Sequence, residues 1–182
     1  MANEDVGSQS LEGPWSSHLY IGFSPANRKT VLDLRVWLEK HGVSCKPRAT
    51  RDSIQESSTV SRKRSRLDST VSIQESIRDG VTTCQKCLLL LTSDYVKDDW
   101  YKIETNAVIE KSQRFSRDVV IILKTQDLEV IPNILEGFKT YPFQPEMLKD
   151  EKSFAKILDV IIQGALMPTY IMLFISLIFI FI

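Results

Sequence analysis

The sequence is poor in residues that would support several common classes of protein. Its three cysteines, Cys45, Cys84 and Cys87, are too few for a disulfide framework and fit a reducing compartment. Two histidines, His18 and His41, do not complete the ligand set of a structural zinc site, so no metal is expected. Seven glycines form no Gly-x-Gly-x-x-Gly array, which argues against a phosphate-binding loop. We therefore expect no bound cofactor.

The sequence also lacks an excess of charge of either sign. It has 23 Lys and Arg against 23 Asp and Glu, so no overall field favours nucleic acid as a partner. One local basic cluster contains Arg62, Lys63, Arg64 and Arg66, but no aromatic residue is interleaved to stack on bases. We interpret this cluster as a solvated loop or, beside an anionic bilayer, as a patch attracted to lipid headgroups.

Cys84-Gln-Lys-Cys87 has the spacing of a redox motif or a zinc half-site. A redox pair normally opens a helix, whose N-terminus lowers the thiol pKa. Here the pair leads directly into the apolar run Leu88–Leu91, which is typical of a buried strand. Buried structural thiols are the better interpretation.

Charged residues are absent from Val160–Ile182. From Ala165 onward the apolar residues would cover every face of a helix, which excludes a solvated amphipathic helix. A bilayer core needs about 20 apolar residues, with a range of about 17–25. We therefore predict a hydrophobic membrane tail over residues 164–182. A buried core helix, or truncation of a longer membrane protein, would also explain this composition.

The distribution of lysines predicts the orientation of the tail. Lys149, Lys152 and Lys156 precede it, and nothing basic follows. The positive-inside rule then places the N-terminal domain in the cytoplasm, on a single-pass membrane protein. Residues 1–17 contain no apolar signal-peptide core and are predicted to be a flexible leader.

Between leader and tail, strand and helix patterns alternate over residues 18–163. The predicted strands are His18–Phe23, Val43–Cys45, Lys86–Leu91, Asp118–Leu123 and Lys139–Tyr141. The predicted helices are Ser24–His41, one carrying Val71–Val81, Asp94–Arg114, a short one at Leu128–Leu135, and Glu146–Gln163. This alternation predicts an α/β domain with a flavodoxin-like, five-stranded parallel sheet and helices on both faces. The third and fourth strands are the most continuously apolar and should be central.

A long polar insert interrupts this pattern at residues 48–68. It is Ser-rich and basic, and Ser53-Ile-Gln-Glu-Ser57 within it recurs as Ser72-Ile-Gln-Glu-Ser76, which indicates a local duplication. The insert has too few apolar residues to offset the entropy of ordering it, so a mobile loop is expected.

Thr92-Ser-Asp-Tyr-Val-Lys-Asp-Asp-Trp-Tyr-Lys-Ile-Glu104 resembles a segment of the Toll/interleukin-1 receptor (TIR) domains of Toll-like receptors. In those domains a strand ends at Ser, and the next helix carries Trp and then Glu four residues later. The resemblance extends over residues 18–163. Trp100 and Phe154 stand at signature positions of the family. Arg48, Arg51 and Asp52 stand in the loop through which TIR domains contact one another.

The resemblance implies two functions. The first is an interaction module that assembles with other TIR domains in innate-immune signalling. The alternative is hydrolysis of the nicotinamide–ribose bond of NAD, which some TIR domains perform with the helix glutamate that Glu104 matches. NAD would then be a substrate. His18 replaces the usual acidic residue of the first strand, and Gln55-Glu56 replaces the usual Pro-Gly of the interaction loop. We therefore expect the interaction module rather than the enzyme.

Overall fold

The computed structural model describes residues 15–49 and 66–162 of the chain. The strands are β1 Ser17–Gly22, β2 Cys45–Pro47, β3 Cys84–Leu91, β4 Val120–Lys124 and β5 Lys139–Pro142. The α-helices are α1 Arg28–Lys40, α2 Arg66–Thr83, α3 Ser93–Lys97, α4 Tyr101–Arg114 and α5 Glu151–Ile162. Short 3-10 helices occupy Pro25–Asn27, Arg117–Val119, Asn133–Leu135 and Pro145–Lys149.

The five strands form one parallel sheet in the order β2-β1-β3-β4-β5. This is the flavodoxin-like order, and it confirms the predicted sheet. β3 is the central strand and β4 lies beside it, as their continuous apolar character predicted. The register places Tyr20 of β1 opposite Cys87 of β3, and Cys87 opposite Val120 of β4.

Helices cover both faces of the sheet and bury two separate cores. On one face, α1 and α5 pack against alternate strand residues through Leu34, Leu38, Phe154 and Ile157. On the other face, α2 and α4 contribute Ile73, Ile77, Val81 and Val108. β1, β3 and β4 therefore supply side chains to both cores, which explains the uninterrupted apolar runs Leu88–Leu91 and Val120–Leu123.

The close approach of α2 to β1 depends on Gly80. A Cβ atom at this position would lie 2.5 Å from two ring carbons of Tyr20. Only glycine leaves room for the aromatic ring beneath the helix. This packing holds Tyr20 fully buried.

The predicted helix Asp94–Arg114 is wrong as a single element. α3 ends at Lys97, and Asp98 adopts an extended backbone with φ −67° and ψ 138° before α4 starts at Tyr101. The Thr92 hydroxyl caps α3 by accepting a hydrogen bond from the Tyr95 amide at 3.0 Å. The break places the Asp98 side chain where it accepts from the Trp100 amide.

Several predicted boundaries also differ from the structure. β2 begins at Cys45 rather than Val43, because the Val43 amide still donates to the Leu38 carbonyl at the end of α1 at 3.0 Å. The helix predicted at Leu128–Leu135 is reduced to the 3-10 turn Asn133–Leu135. α2 begins at Arg66, inside the predicted insert 48–68, and β1 includes Ser17, the last residue of the predicted leader.

Three predicted features lie outside the described residues. They are the leader up to residue 14, the insert over residues 50–65 and the tail over residues 164–182. Among the described helices, none combines the length and apolar character needed to cross a bilayer.

Candidate functional site

Glu104 lies in the first turn of α4, and its side chain is completely buried against β1. Its Oε1 atom accepts a hydrogen bond from the Tyr20 hydroxyl. A Cβ atom at Gly22 would come within 2.9 Å of the same oxygen, so the absence of a side chain there makes room for the carboxylate. Glu104 is thus held at the carboxyl end of β1, beneath the residues that follow the strand.

The second oxygen of Glu104 faces Arg48, the residue that follows β2. Arg48 Nη1 lies 3.4 Å from Glu104 Oε2, and the Arg48 side chain is 1% exposed. The Arg48 backbone amide donates to the Ile21 carbonyl at 2.9 Å, which extends the β1–β2 ladder by one residue. The guanidinium carbon lies 5.7 Å from the centroid of the Phe23 ring, within range of a cation–π interaction.

Asp98 completes a buried cluster of charges. Its Oδ2 atom lies 2.6 Å from Arg48 Nη2, and its side chain is 8% exposed. The Arg48 guanidinium therefore bridges two carboxylates. Asp98 lies in the break before α4, and Glu104 lies in α4 itself. Without Arg48, two acidic side chains would be buried together, and their mutual repulsion would oppose folding.

The surroundings of Glu104 favour its neutral form more than water would favour the neutral form of an exposed carboxyl group. Burial raises the pKa of Glu104, while the Arg48 guanidinium and the Tyr20 hydroxyl act to lower it, with burial the larger effect. Burial likewise raises the pKa of Tyr20, and the neighbouring Glu104 adds to that rise. The Tyr95 hydroxyl is also close to Glu104, but its geometry falls short of a hydrogen bond to any described residue.

The arrangement does not present Glu104 to a ligand. Both carboxylate oxygens face protein partners, and the side chain has no exposed surface. A cavity of about 380 Å³ opens at the carboxyl ends of β3 and β4, but its lining includes Thr92, Thr125 and Asp127 rather than Glu104. No cluster of His, Cys, Asp and Glu suited to a metal ion occurs among the described residues.

The other predicted residues are distributed over different parts of the domain. Trp100 is half-buried immediately before α4, one helical turn from Glu104, and packs against the core beneath α2 and α4. Phe154 lies on the opposite face of the sheet, where its ring meets Trp37 edge-on at 4.7 Å. Phe154 is therefore a core residue and not a neighbour of Glu104.

Most of the predicted interaction loop and basic cluster lies outside the described residues. Arg51, Asp52, Arg62, Lys63 and Arg64 belong to residues 50–65. Arg66 is the first residue of α2. Of the predicted loop residues only Arg48 is placed, and the structure joins it to Glu104.

The three thiols are buried, as their positions in an apolar context predicted. Cys84 and Cys87 both lie in β3 rather than at the start of a helix. Burial raises the pKa of Cys45 and of Cys87 to about 12, and it also raises that of Cys84. These values disfavour the thiolate form that redox chemistry and metal binding require.

Tyr20 and Asp98, which contact Glu104 and Arg48, were not predicted from the sequence as members of the site. Tyr20 carried a usable signal, because a tyrosine in a buried strand needs a partner for its hydroxyl. Asp98 gave no such signal in the sequence, since an acidic residue in a polar stretch of a helix is ordinarily solvated. Its role depends on the break between α3 and α4.

Comparison with known proteins identifies the family. The family model described as TIR domain matches residues 19–158. The chain is also similar to the solved TIR domain of the Toll-related receptor TRR-2 from Hydra magnipapillata. That similarity has 13% identity, covers 80% of this chain and 98% of the other, and has a TM-score of 0.44. Among curated proteins there is no significant match.

Proposed function

Because the chain belongs to the TIR domain family, we propose that it is an interaction module that assembles with other TIR domains at a membrane. TIR domains generally act in signal transduction through contacts with one another, and innate immunity is their usual context. Assembly with self or with a receptor or adaptor TIR domain is the activity that we assign to this chain. The tether would be the apolar segment at residues 164–182.

The burial of Glu104 is the observation that favours the interaction module over NAD hydrolysis. A carboxylate that stabilises an oxocarbenium-like transition state must contact the ribose as charge develops. Glu104 instead accepts from Tyr20 and pairs with Arg48, at 0% exposure. To reach a substrate, it would have to leave both partners. The geometry therefore supports a structural role, in which Glu104 fastens α4 to the end of β1.

A membrane tether would strengthen assembly without enlarging the contact surface. Copies confined to one plane meet at a higher local concentration than copies free in solution, so weak contacts are sufficient. The apolar tail and the lysines that precede it support a single-pass arrangement with the domain in the cytoplasm. The basic cluster at Arg62–Arg66 would add attraction of about 1 kcal/mol per cation if it reaches an anionic leaflet.

The two functions are separated by an assay of the full chain reconstituted in vesicles at increasing surface density. Chemical crosslinking reports assembly, and chromatography of the medium after addition of NAD reports free nicotinamide. We expect crosslinked oligomers that grow with density, and nicotinamide no higher than with the Glu104→Gln variant. Nicotinamide release that Glu104→Gln abolishes would establish the hydrolase instead. Monomers at every density would contradict the assembly.

The tether has a separate test. The full chain is expressed in cells beside a form that lacks Met167–Ile182, and membranes are extracted with alkaline carbonate. We expect the full chain to remain with the membrane and the shortened form to be soluble and to unfold cooperatively. Full-length protein in the carbonate supernatant would contradict the tether. Loss of cooperative unfolding in the shortened form would mean that the tail belongs to the core.

A further inference from the structure

A groove runs between α2 and α4, on the face of the sheet opposite α1 and α5. It holds about 540 Å³, within the range of about 300–1,000 Å³ that is typical of ligand pockets. On the α4 side its lining follows one stripe of the helix, at spacings of three and four residues: Ile103, Asn106, Ala107, Glu110 and Arg114. On the α2 side the lining consists of Arg78, Val81 and Thr82.

The apolar part of the lining is exposed and already in place. It includes Ile103, Ala107 and Phe115, and the Phe115 side chain is 59% exposed. The Trp15 ring meets the Phe115 ring edge-on, with the centroids 5.2 Å apart, so the exposed ring is held by a neighbour rather than projecting freely. An apolar ligand could cover this surface without first rearranging it.

The charged part of the lining favours an anion. Arg78 and Arg114 are exposed on opposite walls, and neither forms an ion pair with another described residue. Lys111 also lines the groove, and its Nζ donates to the Val81 and Cys84 carbonyls rather than to a carboxylate. Among the described residues of the lining, only Glu110 is acidic. The groove therefore has a net positive charge, and its concave shape concentrates the field on a bound anion.

We propose that this groove binds a fatty acid with a single alkyl chain. The carboxylate would bind Arg78 and Arg114, because a planar guanidinium matches a carboxylate with two parallel hydrogen bonds. The alkyl chain would lie along Ile103 and Ala107. From Ile103 to Arg114, α4 rises about 17 Å at 1.5 Å per residue, so the stripe suits a long and narrow ligand. One apolar strip accommodates one chain, whereas a phospholipid would leave its second chain in water.

A bound fatty acid would contact both helices that form the groove. It would cover the exposed ring of Phe115 and supply Arg78 and Arg114 with a counter-charge. Because the site requires the folded domain, binding would stabilise that domain increasingly as the concentration of the acid exceeds its dissociation constant. This inference depends neither on assembly with other TIR domains nor on the role of Glu104.

The test uses the full chain in phosphatidylcholine nanodiscs and a long-chain fatty acid that carries a photoactivatable diazirine. After illumination, mass spectrometry locates the attached acid. Labelling of the nanodisc scaffold protein measures how much acid has entered the bilayer and serves as the reference. Relative to that reference, we expect saturable labelling of residues 78–82 and 103–115. Labelling spread evenly over the exposed residues of the domain, or absent from these two segments, would overturn the proposal.

Competitors added to the unmodified chain separate the two parts of the ligand. Laurate should remove the labelling. Butyrate, which has the carboxylate but a short chain, and dodecyltrimethylammonium, which has the chain but a cationic head, should not. Equal competition by dodecyltrimethylammonium would show that the groove does not select a carboxylate and would overturn the proposal. Loss of labelling in nanodiscs that contain phosphatidylserine would identify a phospholipid as the occupant and would also overturn it.

Variants of the chain test the two arginines. Arg78→Glu with Arg114→Glu should reduce the labelling about tenfold or more, because the charge-assisted hydrogen bonds to the carboxylate are lost. Lys29→Glu with Lys152→Glu makes the same change of charge at exposed positions of α1 and α5 and should leave the labelling unchanged. Circular dichroism checks that both variants are folded. Undiminished labelling of the arginine variant, or an equal loss in both variants, would contradict a site built on Arg78 and Arg114.

Discussion

Arg48 and Glu104 are 56 positions apart in the chain, yet their side chains lie 3.4 Å apart with almost no access to solvent. The pair joins the edge of the sheet after β2 to the first turn of α4. Asp98 accepts from the same guanidinium at 2.6 Å, so a single cation offsets two buried acids. The stability of this corner of the domain therefore depends on Arg48.

We predict that Arg48→Ala lowers the free energy of unfolding by about 3–5 kcal/mol, because it leaves two acidic side chains buried without their cation. Urea denaturation measures the change. Arg78→Ala is the matched control, since Arg78 is exposed on α2 and its loss should change stability by about 0.5 kcal/mol or less. A change below about 1 kcal/mol in Arg48→Ala would show that Glu104 and Asp98 do not rely on it.

Tyr20→Phe should destabilise the domain in a pH-dependent manner. Removing the hydroxyl leaves Glu104 Oε1 buried without a donor, which costs about 1–3 kcal/mol. Burial already raises the pKa of Glu104 above its ordinary value of 4.5, and losing the hydroxyl raises it further. A folded-state pKa above the unfolded value means that stability decreases as the pH rises between the two values. The destabilisation should therefore be larger at pH 7 than at pH 4.

Chemical denaturation at the two pH values tests the Tyr20 prediction. Tyr141→Phe is the control, because Tyr141 is half-buried in β5 and its hydroxyl makes no hydrogen bond to another described residue. Its effect should be small and the same at both pH values. Equal destabilisation by Tyr20→Phe at pH 4 and pH 7 would be inconsistent with a carboxylate partner.

Gly80→Ala should lower the melting temperature although helix propensity alone predicts the opposite. Alanine is favoured over glycine by about 1 kcal/mol in a helix interior. At Gly80, however, the new methyl group would lie 2.5 Å from the Tyr20 ring, and overpacking of this kind costs about 1–3 kcal/mol. Gln113→Ala on the exposed side of α4 should leave the melting temperature unchanged or slightly higher. Stabilisation by Gly80→Ala would mean that α2 moves away from β1 at little cost.

The three thiols should resist alkylation in the folded protein. Burial holds the pKa of Cys45 and Cys87 at about 12 and raises that of Cys84, so little thiolate is present at pH 8. Mass spectrometry after iodoacetamide should find no adduct in buffer and three adducts in urea. An exposed Ser116→Cys thiol should react in buffer and verifies the reagent. Modification of Cys87 without denaturant would restore the redox interpretation of the Cys-x-x-Cys pair.

The architecture was largely predictable because it depends on patterns that are local in the sequence. The apolar runs of β3 and β4 are long enough to require cover on both faces, and helical patterns alternate with them. The break at Asp98 was not predictable in this way. Helical periodicity continues through it from Tyr95 to Val108, whereas the pairing of Asp98 with Arg48 and its hydrogen bond from the Trp100 amide favour the extended backbone there.

The amino-acid sequence by itself determined the order of strands and helices, the two apolar faces of the central strands and the TIR signature around Glu104. The first two follow from the spacing of side chains within about twenty neighbouring residues, and the third from the resemblance of residues 92–104 to TIR domains. Only the tertiary structure decided the environment of Glu104. A carboxylate on a helix is expected to be solvated, and its burial here requires Tyr20 from β1, Arg48 after β2 and the glycine at position 22. Sequence spacing does not reveal such a long-range combination, and in the low-dielectric interior the loss of any one partner leaves the others buried without a hydrogen bond or a counter-charge.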